Sequence, residues 1–68
     1  MYVDGLVLRT EAYKAGLRMG DVARMAGITA TTLSNIANGK RCRAETAQKI
    51  ADALGIPLNK LSGHEKRR

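Results

Sequence analysis

Four of the chain's seven glycines, Gly16, Gly27, Gly39 and Gly55, each follow a stretch with helical apolar spacing, and this punctuation leaves room for short helices and little else. A glycine just past a helix ends it at low steric cost, because without a Cβ it takes the left-handed conformation that a terminating turn needs. The spacing predicts helices over roughly Leu6 to Ala15, Met19 to Ala26 and Ala30 to Asn38, and a fourth through ETAQKIADALG. A closing turn or short fifth helix follows around Ile56, Pro57, Leu58 and Leu61. Asp4 suits the N-cap of the first helix. Asp4-Gly5 between Tyr2-Val3 and Leu6-Val7 also has the form of a hairpin turn; the helix is the preferred reading. No other segment alternates as a strand does, so the fold is expected to be all-α, with connections of three or four residues forcing steep crossings.

The helices differ in what their faces carry. Val22, Ala23 and Ala26 fall on one side of the second, and Ala47, Ile50, Ala51 and Leu54 form the clearest core stripe, on the fourth. The third lies in the longest uncharged stretch, since nothing ionisable occurs from Met25 through Gly39. With Thr29 as N-cap, Leu33, Ile36 and Ala37 gather on one side and Thr31, Ser34, Asn35 and Asn38 on the other. That helix is amphipathic without being charged.

Charge lies elsewhere. Twelve Lys and Arg stand against six Asp and Glu, a net +6. Residues 1–34 hold four bases against three acids, whereas residues 35–68 hold eight against three, so the surplus of bases sits in the carboxyl half. A pI near 10.1 suits a polyanionic partner. At 68 residues the chain allows one domain, expected over residues 1–62 with a basic tail over 63–68. A domain this small buries only roughly 60% of the surface of its unfolded chain, which disfavours a deep enzyme pocket.

Several classes are disfavoured by what the side chains offer. One cysteine, Cys42, permits no intrachain disulfide, and a reducing cytoplasm is the expected location. No run approaches the ~18 apolar residues of a membrane span, and MYVDGLVLRTE lacks the form of a signal peptide. His64 stands alone, Cys42 has no nearby histidine, and no two carboxylates share a face, so an enzyme is not expected. Metal ligands are too few, and two tyrosines do not make a stacking platform for single strands. No cofactor or small-molecule ligand is expected.

The join Ala26-Gly27-Ile28-Thr29 has the parts of a helix-turn-helix: Ala23 lets two helices approach, Gly27 makes the turn, Ile28 plugs the junction and Thr29 starts the second helix. Through GLRMGDVARMAGITATTLSNIANGK and AETAQKIADALGIPLNKL, from about Leu8 to Leu61, the chain resembles the phage-repressor and Cro-type (XRE) helix-turn-helix family. The resemblance implies a compact, lambda-repressor-like DNA-binding domain of four to five helices, with the helix-turn-helix at helices two and three. It implies that Met19 to Ala26 supports and Ala30 to Asn38 recognises, with Thr29, Ala30, Thr31, Ser34 and Asn35 reading bases. Phosphate contacts are expected from Arg18, Thr32, Asn38, Lys40, Arg41 and Arg43; the last three bases follow the neutral helix at once and so can clamp a backbone. The family's paired Arg on helix one and Glu before Asn-Gly are both alanine here, Ala12 and Ala37, which leaves no orphan charge. Arg18-Met19 replaces the Ser-Gln-like pair that opens the family's supporting helix.

The expected function is a sequence-specific, double-stranded-DNA-binding regulator of transcription, a small phage-type or prokaryotic repressor of Cro-like form. Without Arg, Lys or Gln on the reading edge, contacts should favour A·T positions, through Asn35 to adenine and methyl groups to thymine. A rival reading keeps the fold and turns the Thr29 to Asn38 face toward another protein, an antirepressor-like or antitoxin-like partner. Ile56, Leu58, Leu61 and Tyr2 or Val3 are the apolar residues left for an interface, so a weak homodimer formed on DNA and a monomer are both open.

Overall fold

The computed structural model describes residues 1–62, which form five helices: α1 (Gly5–Lys14), α2 (Met19–Ala26), α3 (Ala30–Ala37), α4 (Ala44–Leu54) and α5 (Leu58–Leu61). The tail expected over 63–68, with His64, lies outside the described residues.

Local chemistry sets the boundaries. The Asp4 carboxylate accepts from the backbone N–H of Leu6 at 3.0 Å and of Val7 at 3.2 Å, so the stretch that also had hairpin form closes as a helix. α2 ends on Gly27 at φ 75° and α4 on Gly55 at φ 70°, both left-handed. Ile28 N–H then returns to the Ala23 carbonyl at 2.9 Å, which tightens the turn between α2 and α3.

The core takes one fully buried branched residue from each helix in turn: Leu8, Val22, Leu33, Ile50 and Leu61. Around them stand Ala12, Ala23, Ala26, Ala37, Ala47 and Ala51, all buried. Such small residues let helix axes approach closely, and α2 packs most extensively on α4 and next on α3. α1 lies against the far end of α3. There a Cβ on Gly5 would run into the Ala37 carbonyl oxygen and stand 3.0 Å from its carbonyl carbon.

The structure corrects two expectations. The connection from α3 to α4 spans residues 38–43, longer than three or four, because part of it runs beside the amino terminus. Cys42 N–H donates to the Met1 carbonyl at 2.8 Å and the Met1 amino group donates to the Cys42 carbonyl at 2.7 Å. Val3 and Leu61, counted among the apolar residues left over for an interface, are instead core residues at 5% and 0% exposure. The reason is again backbone pairing. Val3 forms an isolated antiparallel bridge with Ser62, and Asp4 N–H donates to the Leu61 carbonyl at 2.8 Å.

Candidate nucleic-acid interface

α3 divides its residues by chemistry. Leu33, Ile36 and Ala37 are buried, while Thr29, Ala30, Thr31, Thr32, Ser34, Asn35 and Asn38 are exposed. Every residue expected to read bases is thus accessible, at the start or on the outer side of one two-turn helix. The buried trio fixes that helix on α1 and α2, so the outer side chains are presented by a rigid element.

The first turn of α3 is wired internally. Thr29 Oγ1 accepts from Thr32 N–H at 3.1 Å and donates to Thr32 Oγ1 at 2.8 Å. The Thr29 hydroxyl is therefore occupied, which leaves its methyl group to meet a partner, while the Thr32 hydroxyl keeps its own proton to donate. No acidic residue lies in this turn, so the partial positive charge of the helix's amino end is not offset locally.

Beyond α3 the backbone turns without help from side chains. Gly39, at φ 104°, donates to the Ile36 carbonyl at 3.1 Å, and Lys40 N–H donates to the Asn35 carbonyl at 3.0 Å. This folds the basic connection back against the helix. An open hollow of about 270 Å³ results, lined by Thr32 and Asn35 from α3, by Lys40, Arg41 and Arg43 from the connection, and by Thr46 from α4. Among the described residues none of these three bases has a carboxylate within ion-pair distance; the ion pairs there are Lys14–Glu11, Arg24–Asp21 and Lys60–Glu11. A hollow walled by unpaired cations and hydroxyls is chemically suited to an anion.

Cys42 also lines this hollow, half-buried, and burial pushes its thiol up while the nearby amino terminus pulls the other way. A thiol so placed stays protonated at neutral pH and fills space. Arg18 stands apart from the hollow, at the amino end of α2. Its backbone N–H donates to the Asp21 carboxylate at 3.1 Å, so that helix end already carries its own anion.

The sequence reading missed Arg9. From the exposed side of α1 its Nη2 donates to Asn38 Oδ1 at 3.2 Å, tying the end of α3 to α1. Arg9 lies about one turn before Ala12 on the same helix, so an arginine one turn displaced from the family's position was the clue available.

A family model described as helix-turn-helix matches residues 8–61, from α1 to the last residue of α5. Comparison with curated proteins returns no match.

Proposed function

Because the chain belongs to the XRE-type, lambda-repressor-like helix-turn-helix family of DNA-binding regulators, we propose that it is a sequence-specific repressor of small phage or prokaryotic Cro-like type. In this reading α3 enters the major groove, with Asn35, Ser34, Thr31, Ala30 and the Thr29 methyl against base edges. Lys40, Arg41 and Arg43, with Thr32, Asn38 and Arg18, hold the flanking phosphates.

One observation carries the proposal: Asn35 on a neutral helix shares a hollow with Lys40, Arg41 and Arg43. Phosphate contacts supply affinity for any sequence and set the register of the helix on the duplex, whereas base edges supply discrimination. An uncharged reading edge beside a cationic clamp separates these tasks. Asn35 can bond adenine bidentately and the methyl groups can meet thymine, so each half-site should favour A·T pairs. A single copy reads few base pairs, and two copies on half-sites about 34 Å apart would give a usable operator.

Selection of bound sequences from random duplex DNA tests this. An enriched site of A·T-biased half-sites is expected. Selection that enriches nothing, from a protein that also fails to retard random duplex at low salt, would overturn the DNA reading and leave α3 as a surface for a protein partner.

A further inference from the structure

Resting on that reading, we infer that Arg9 is a phosphate contact of the bound duplex, held at the rim of the clamp by Asn38. Arg9 Nη2 gives one hydrogen bond to Asn38 Oδ1, at 3.2 Å, and among the described residues its guanidinium has no carboxylate partner. An arginine carries five N–H donors in a fixed plane, so one bond to an amide fixes that plane and leaves donors for a phosphate oxygen. Asn38 stands two residues before Lys40, at the start of the connection that carries the other bases.

The surroundings make this placement firm. α1 and the residues before it meet the end of α3 and the connection at three points: Gly5 against the Ala37 carbonyl, Arg9 at Asn38, and Met1 paired with Cys42 through both backbone groups. Arg9 therefore moves with the clamp as one body. The clamp then spans two elements distant in sequence, from α1 across the end of α3 to Arg43, and Arg9 supplies at Asn38 the helix-one anchor that Ala12 cannot.

The test titrates wild type, Arg9→Ala, Arg9→Lys and Arg41→Ala against a random-sequence duplex from about 50 to about 200 mM salt. Arg9→Ala should lower the slope of log affinity against log salt by about 0.9, so that its deficit shrinks roughly threefold over that range. Arg9→Lys, which keeps the charge, should hold the wild-type slope. Where Arg9→Ala does not fold, Arg9→Gln retains an amide donor for Asn38 without the charge and gives the same readout. A double-mutant cycle with Asn38→Ala should show coupling of about twofold or more in affinity. A slope unchanged by Arg9→Ala but lowered by Arg41→Ala overturns the assignment of Arg9 alone. A wild type without salt-dependent binding overturns the DNA reading itself.

Discussion

Gly5 and Ala37 meet backbone to backbone: a Cβ at Gly5 would strike the Ala37 carbonyl oxygen, so only glycine lets α1 close on the end of α3. Gly5→Ala should therefore destabilise the domain by about 1–3 kcal/mol, the usual cost of overpacking a site whose neighbour cannot yield. Gly20 is the matched control, since it lies inside α2 with open space where a Cβ would go. Gly20→Ala should stabilise by roughly 0.4–1 kcal/mol, so urea midpoints of the two variants should move in opposite directions.

Thr29 caps α3 and, in the proposed reading, also offers its methyl group to a base, two roles that substitution can separate. Thr29→Ser keeps the oxygen that caps Thr32 N–H and loses the methyl, so it should melt as wild type while losing preference for thymine at one position. Thr29→Val keeps a methyl and loses the cap, at a cost of about 1 kcal/mol. Thermal melts and binding to base-substituted sites read the two effects independently.

Asn35→Ala should weaken the selected site by about 1–3 kcal/mol, relax one base position, and leave binding to random duplex nearly unchanged. Arg41→Ala should weaken every duplex alike and reduce the salt slope by about one unit. Swapped outcomes, with Arg41→Ala altering specificity at constant slope, would invert the roles assigned to helix and connection.

Acid should loosen the contact between α1 and α5. Lys60 Nζ lies 3.0 Å from Glu11 Oε2, and this hydrogen bond, with the nearby charge of Lys14, holds the Glu11 carboxyl below the usual glutamate range. A carboxylate whose pKa is lower folded than unfolded contributes its stability fully above the unfolded value of about 4.3, and loses it as pH falls through the folded value. Stability should thus decline across that acidic window, and Glu11→Gln should flatten this part of the profile. A decline of wild-type size in Glu11→Gln would assign the acid sensitivity to other carboxylates.

Much of the fold was legible because its signals are local. Gly27 and Gly55 stop helices by their own backbone freedom, Thr29 and Asp4 cap by reaching two or three residues along, and Ala47, Ile50, Ala51 and Leu54 repeat at helical spacing. What escaped is carried by the backbone or by distant partners. Met1 with Cys42 and Val3 with Ser62 pair through main-chain groups that every residue owns, so no side chain announces them. That pairing buried Val3 beside Leu61, which the sequence alone presented as spare apolar surface. Arg9 escaped for a different reason: its bond joins two side chains, but the partner lies 29 positions away.

Thr31, Ser34 and Asn35 take part in none of the side-chain hydrogen bonds or ion pairs among the described residues, and none belongs to the core. Their side chains therefore bear on folding only through the helix propensity of α3. On the proposed reading, a lineage of such chains could exchange these three side chains for any that a helix accepts and so acquire a new operator, with the core of the scaffold left as it is.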